Sequence, residues 1–299
     1  MSELETYEAP AWLDRQAYPF ELRRLRHADG ALAFVDEGPR DAPPLVFVHG
    51  NPSWSFMYRA QVADLRDHYR CIAVDHLGFG LSDKPPGASY HPADHARRLG
   101  AVLDALGLGK VHLVLHDWGG PIGMGWALDH PERVRSLLIL NTWMWSLGKD
   151  PQARRFSRML SSWPAQVAIR HFDAFVRYLM PKTFPDRRQF QAVKSQYTGP
   201  FQKAADRAGV ADFPRQLLAA DEFLGSLWQR RQLIAHKPTR FVWALRDPVF
   251  RKAALERWQG LFPDAPIEKV SGVGHYVAEE MGSKLSPFVA EHVAAVEAG

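Results

Sequence analysis

The chain is nearly without cysteine and has no long apolar run. Cys71 is the one cysteine among 299 residues, which excludes an internal disulfide. Its setting in Cys71-Ile72-Ala73-Val74 reads as a buried strand position rather than a reactive thiol. No stretch approaches the roughly 18 apolar residues that a membrane span needs. The leading residues Met1-Ser2-Glu3-Leu4-Glu5 are acidic and lack the apolar segment of a secretion signal. Internal repeats and low-complexity segments are missing. So are a phosphate-cradling glycine loop and a dinucleotide fingerprint, since Gly78-Phe79-Gly80 reads as a turn. His91 and His95 have helical i, i+4 spacing without the intervening glutamate of a metalloprotease helix, so no metal is expected. These absences set the expectation of a soluble, cytoplasmic protein with no cofactor and no membrane partner; homo-oligomerisation is compatible with them.

Charge of one sign is unevenly spread. The net charge is +4 and the isoelectric point near 9.2. Between Pro151 and Arg240 there are 16 Lys and Arg against 6 Asp and Glu, and the remainder holds 21 basic and 27 acidic residues. A polyanion site would cluster such charges among stacking aromatics. Here they stand singly or in pairs such as Arg154-Arg155 and Arg187-Arg188, which reads as a solvated helical surface and not as a nucleic-acid site.

With 46% hydrophobic and 23% charged residues, the chain is long enough for one large α/β domain with an inserted subdomain. Short apolar runs at Leu45–Val48, Cys71–Val74, Val111–Leu115, Ser136–Leu140 and Thr239–Leu245 alternate with amphipathic stretches. That pattern predicts a mostly parallel sheet with helices on both faces. Helices are expected over Trp54–Leu65, Ala93–Leu106 and Ile122–Asp129. From residue 142 to 235 strand-like runs vanish, and segments such as Ala165–Met180 and Gln216–Gln232 read as helices punctuated by Pro164, Pro181, Pro185, Pro200 and Pro214. The expected organisation is a main domain of residues 1–141 and 236–299 with a helical cap of 142–235 over the carboxyl edge of the sheet, where open α/β sheets bind ligands.

The segment His116-Asp117-Trp118-Gly119-Gly120 directly follows the strand-like Val111–Leu115 and precedes a helix-compatible stretch in which Pro121 falls in the first turn. Strand, sharp turn and helix make a nucleophile elbow, here carrying a carboxylate. A serine needs a base before it can attack, whereas an aspartate with an ordinary pKa of about 3.9 is ionised at neutral pH and can form an ester with carbon directly. Leu115 stands where many elbows have a small residue. His275 lies in the glycine-flanked loop Ser271-Gly272-Val273-Gly274-His275, after the strand expected at Ile267–Val270. Asp247 follows another strand end and is placed to accept the second N–H of the histidine. Nucleophile, acid and base thus follow the chain order of α/β-hydrolases. His49-Gly50-Asn51-Pro52 follows the first strand and can supply an oxyanion-hole N–H together with that of Trp118. The Asn51 amide and the Trp118 indole N–H are neutral donors suited to a group that leaves as an anion.

At these residues the chain resembles the haloalkane dehalogenases of the α/β-hydrolase superfamily. The resemblance runs through His49-Gly50-Asn51-Pro52-Ser53-Trp54-Ser55-Phe56, Asp75-His76-Leu77-Gly78-Phe79-Gly80-Leu81-Ser82 and His116-Asp117-Trp118-Gly119-Gly120-Pro121-Ile122, and extends to Asp247 and His275. Asn141-Thr142-Trp143-Met144-Trp145 and Phe156-Ser157-Arg158-Met159-Leu160-Ser161-Ser162 look most like the third subfamily of that family. The resemblance implies an α/β-hydrolase fold with a helical cap, and Asp117, His275 and Asp247 as catalytic triad. It further implies Asn51 and Trp118 as the halide-stabilising pair, a small apolar halogenated substrate and a halide product. Another subfamily places its triad acid near Asn141 as a glutamate, which is absent here. One branch adds a lid tryptophan, for which Trp143, Trp145 and Trp163 are available. The rival reading is an epoxide hydrolase with the same triad, which needs acidic donors, usually two lid tyrosines; Tyr178 and Tyr197 lie in the insert, but Asn51 weighs against it. Trp118 in place of an elbow arginine disfavours a fluoroacetate-type dehalogenase. The intact set Asp117, Asp247 and His275 disfavours a non-catalytic binding module.

Overall fold

The computed structural model describes residues 4–299, so Met1-Ser2-Glu3 of the segment read for a secretion signal lie outside it. Among the described residues nine strands form one sheet: β1 (Leu4–Thr6), β2 (Arg23–Leu25), β3 (Leu32–Glu37), β4 (Pro44–Val48), β5 (Arg70–Val74), β6 (Val111–Asp117), β7 (Val134–Thr142), β8 (Thr239–Ala244) and β9 (Ile267–Val270). Their order is β1-β2-β3-β5-β4-β6-β7-β8-β9. The strands from β5 to β9 pair in parallel, whereas β1, β2 and β3 add an antiparallel edge. The parallel strands β4, β5 and β6 are buried along nearly their whole length, as expected where helices cover both faces.

The antiparallel edge carries little sequence signal. β1 and β2 are three residues each and rich in charge. Glu5 bonds Arg24 and Arg26 across the pair, so their extended state depends on pairing more than on an apolar pattern.

Helices α1 (Arg59–Leu65), α2 (Pro92–Ala105) and α3 (Gly119–Asp129) flank the first half of the sheet. The insert contributes α4 (Pro151–Ser161), α5 (Trp163–Phe172), α6 (Arg187–Thr198), α7 (Ala208–Ala219) and α8 (Asp221–Gln229). The chain then returns to the sheet and adds α9 (Lys252–Gln259), α10 (Val277–Met281) and α11 (Ser286–Ala298).

Two helical segments of the insert differ from expectation. Ala165–Met180 is broken at Asp173, which has φ +54 and ends α5 before a π-helical turn at Phe175–Leu179. The Asp173 side chain is buried and faces Arg177 and Arg207 at 3.3 and 3.6 Å, a tertiary constraint that local sequence does not announce. Gln216–Gln232 is likewise two helices meeting at Ala220, and α7 starts as early as Ala208 because Pro214 is accommodated inside it.

Among the described residues no helix is long and apolar enough to cross a membrane. Cys71 is buried on β5, and burial pushes its thiol up to about 12.

Candidate active site

The site gathers at the carboxyl ends of the parallel strands. At the end of β6 the backbone turns sharply at Asp117, whose φ of +48 is a left-handed conformation that a non-glycine residue adopts at a cost. The turn is held from several sides: the Thr142 hydroxyl at the end of β7 donates to the Asp117 carbonyl, and the Trp258 indole donates to the Thr142 carbonyl at 2.9 Å. The bulk of Leu115 is absorbed by α3. A Cβ on Gly123 would stand 2.4 Å from Leu115 Cδ2, so this glycine supplies the space that a small residue before the elbow would otherwise leave.

Asp117 is 7% exposed and Asn51 6%, and the loop after β4 lies directly against the elbow. A Cβ on Gly50 would meet Asp117 Oδ2 at 2.3 Å, so the absence of a side chain lets the carboxylate sit on the loop backbone. There the Asn51 N–H donates to Asp117 Oδ2 at 2.9 Å, and the Trp118 N–H also donates to the carboxylate. Burial raises the Asp117 pKa, while His275 and these two N–H groups pull against it. The donors predicted from the elbow and from the loop after β4 therefore converge on one carboxylate.

His275 Nε2 lies 3.8 Å from Asp117 Oδ1, and His275 Nδ1 lies 3.1 Å from Asp247 Oδ2. The other oxygen of Asp247 accepts the Val249 N–H at 2.7 Å. Burial disfavours the imidazolium, yet Asp247 first and Asp117 second outweigh it and hold the His275 pKa up to about 9. Both carboxylates and the imidazole are buried.

Aromatic rings enclose the group. The Trp118 ring meets Phe213 of α7 at 4.9 Å and Trp143 at 4.8 Å; Trp143 stacks on Phe250 at 5.2 Å, and Phe250 stacks on His275 at 5.8 Å. Of the three tryptophans weighed from the sequence, only Trp143 belongs here. Trp145 packs on Trp228 and Trp258, and Trp163 is 78% exposed.

Several supporting residues were not singled out from the sequence. Glu280 of α10 accepts the Gly274 N–H at 2.8 Å and the Tyr276 N–H at 3.0 Å, clasping the backbone on both sides of His275. The insert contributes the Thr183 carbonyl, which accepts the His275 N–H at 3.3 Å, while His116 Nε2 donates to the His275 carbonyl at 2.6 Å. A carboxylate five residues beyond the histidine was the one available signal for Glu280; the others are contacts between distant segments. Asn141, the position of interest for a rival triad acid, bonds both amide groups to the Ala244 backbone, at 2.8 and 3.1 Å.

Of the two tyrosines that an epoxide hydrolase would need, one is engaged elsewhere and the other is exposed. Tyr197 is buried and donates to Glu279 at 2.7 Å, and Glu279 is held by Arg59. Tyr178 is 62% exposed. His91 caps α2, accepting the Ala93 N–H at 3.2 Å, and His95 is buried against Phe213. Among the described residues no group of three or more His, Cys, Asp and Glu could hold a metal ion.

Comparison with known proteins places this geometry in a family. The alpha/beta hydrolase fold family matches residues 43–280. A haloalkane dehalogenase 2 of Mycobacterium bovis is 39% identical over 93% of this chain and 96% of its own. A cis-3-alkyl-4-alkyloxetan-2-one decarboxylase of Shewanella oneidensis is 35% identical over 89% of this chain and 86% of its own. The crystal structure of a putative ancestral haloalkane dehalogenase superimposes with a TM-score of 0.84 and 26% identity, covering 93% of this chain and all of that one. The chain belongs to the α/β-hydrolase fold family and, within it, to the haloalkane dehalogenases.

Proposed function

We propose that this hydrolase cleaves the carbon–halogen bond of small apolar haloalkanes through an ester on Asp117, giving an alcohol, a halide and a proton. The observation that carries this reading is a buried carboxylate at a strained turn with one oxygen held by the Asn51 backbone N–H and the other near a carboxylate-paired imidazole. Asp117 Oδ1 is the attacking oxygen, since Oδ2 is the one held by the Asn51 N–H. It displaces halide from carbon in line, and the side-chain N–H groups of Asn51 and Trp118 receive the departing anion. The ester carbonyl then occupies the Oδ2 position. His275, oriented by Asp247, takes a proton from water, which attacks that carbonyl, and the Asn51 and Trp118 backbone N–H groups stabilise the tetrahedral oxyanion.

Loss of the Asp117 charge on esterification is what frees the base. The resting site holds an imidazolium between two carboxylates; the ester removes one of them, and the His275 pKa falls. In this reading residues 142–235 act as a cap over residues 1–141 and 236–299. Phe213 covers Trp118, and the Thr183 carbonyl holds the His275 loop, so water is kept from the halide.

A second reading has a specific chemical basis in the oxetanone decarboxylase relative. A strained four-membered lactone opened by Asp117 would release a carboxylate, which, like halide, departs as an anion without protonation. The neutral donors Asn51 and Trp118 suit that step as well. They do not suit an epoxide, whose alkoxide needs an acid that Tyr178 and Tyr197 are not placed to supply.

Incubating the protein with 1-bromobutane, styrene oxide and a cis-3,4-dialkyloxetan-2-one in parallel separates the three. Halide release that vanishes in Asp117→Ala supports dehalogenation. Carbon dioxide and alkene from the lactone, with no halide from any haloalkane, would replace it with the decarboxylase reading.

A further inference from the structure

The outer surface of α4 and α5 is unlike the rest of the molecule. Of the nine large hydrophobic side chains exposed among the described residues, five lie between Phe156 and Tyr178: Phe156, Met159, Trp163, Phe172 and Tyr178. Phe172 and Tyr178 stand in solvent, while Phe175, Phe184 and Phe190 nearby in the chain are buried. Trp163, at 78%, is the most exposed of the nine.

Basic side chains surround this apolar group. From Lys149 to Arg188 there are 9 Lys and Arg against Asp150, Asp173 and Asp186. Those three acids are already committed. Asp150 caps α4 through the Ala153 N–H, Asp173 is buried with Arg177, and Asp186 pairs with Arg188. Arg154, Arg155 and Arg158 make no ion pair among the described residues, and together with Pro151 they line one shallow depression.

The helical geometry sorts these residues. On α4, Ser157 and Leu160 face inward. On the opposite side Arg155 and Met159 lie one above the other, with the Arg154–Arg158 row to one flank and Phe156 to the other. Trp163 begins α5 immediately beyond. The solvated face expected from the basic residues is thus interleaved with exposed aromatics. A purely solvated surface has no use for those rings, and they are the groups that sit at a headgroup boundary.

We infer that this face of α4 and α5 docks on an anionic lipid bilayer, with Trp163, Met159 and Phe156 entering the headgroup region and Arg154, Arg155 and Arg158 pairing with lipid phosphates. The surface binds peripherally, in keeping with the lack of a spanning helix among the described residues. It is separate from the catalytic group and does not depend on which reaction Asp117 performs. Charge complementarity selects the bilayer over a second copy of this chain, because two such faces would oppose three unpaired arginines to three.

The test is co-sedimentation of the full chain with vesicles of phosphatidylglycerol and phosphatidylcholine, beside vesicles of phosphatidylcholine alone. Binding is expected only to the anionic vesicles and should weaken as salt is raised. Replacing Arg154, Arg155 and Arg158 by Gln should lower the partition coefficient about fivefold per arginine, hence about a hundredfold together. Trp163→Ser should lower it as well, and both variants should turn over a water-soluble substrate, whichever the Asp117 site accepts, at the wild-type rate. Equal binding to both vesicle types, no binding, or unchanged binding by the triple variant overturns the inference. So does a lipid-free dimer, seen by sedimentation velocity, that Trp163→Ser converts to monomer, because that face would then join two copies.

Discussion

Replacing His275 by Phe separates the two chemical steps. The imidazole stands 3.8 Å from Asp117 Oδ1 and does nothing in the displacement itself, so alkylation should proceed. Loss of a general base should slow ester hydrolysis by about 100- to 10,000-fold. The expected result is a burst of one halide per enzyme with almost no turnover, and a mass increase of one alkyl group on the peptide holding Asp117. The phenyl ring fits the stack formed with Phe250 at 5.8 Å and the edge contact with Tyr276 at 4.8 Å. Its cost lies at Asp247, left buried without its partner at about 3–5 kcal/mol. The double substitution His275→Phe with Asp247→Asn removes that charge and should trap the same ester in a more stable protein.

The wild type should show the converse in its pH dependence. His275 holds its proton up to about 9 in the resting site, and only its neutral form is a base. A charge at about 4 Å in an effective dielectric near 20 interacts by about 4 kcal/mol, or about three pK units. Asp117 is the lesser of the two carboxylates acting on His275, so the ester should lower its pKa by about one to three units. Single-turnover hydrolysis of the ester should therefore rise with pH through a midpoint below about 9 and then level. Sustained turnover by His275→Phe, or a burst without an adduct on Asp117, would refute the reasoning.

Other substitutions probe the remaining parts. Asp247→Asn keeps an acceptor for the Val249 N–H but removes the main support of the imidazolium; kcat should drop at least about 100-fold and the rising limb move to lower pH, as a pH–rate profile will show. Asn51→Ala and Trp118→Phe should each slow the halide burst about 100- to 1,000-fold, read by stopped flow, while leaving ester hydrolysis less affected. Gly123→Ala should cost about 1–3 kcal/mol in denaturant unfolding, because its Cβ has Leu115 Cδ2 in its way. Combining it with Leu115→Ala should recover part of that loss, and strict additivity would count against the proposed fit. Glu280→Gln leaves one acceptor for two N–H groups and should lower kcat with little change in KM.

Much of the parallel sheet was legible because its strands are apolar on both faces. Each run from Leu45 to Thr239 announces itself without its partners, and the turn after Val111–Leu115 is marked by glycines and a following proline. The antiparallel edge was not legible, since β1 and β2 exist through pairing and the Glu5 ion pairs. The break at Asp173 was hidden for a similar reason: no glycine or proline marks it, and distant Arg207 helps to hold it.

Local sequence determined which chemistry each candidate could perform. It put a carboxylate at the apex of a strand–turn–helix, an imidazole in a glycine-flanked loop, and neutral amide and indole donors beside strand ends. Side-chain chemistry and backbone period are properties of short segments, so these could be read in isolation. Only tertiary structure decided that Asp117, Asp247 and His275 share one buried space, because they come from segments up to 158 positions apart joined through sheet order. It alone also assigned the clasp of Glu280, tied Tyr197 to Glu279 and left Trp163 in solvent, since contact and exposure depend on what the rest of the chain brings alongside.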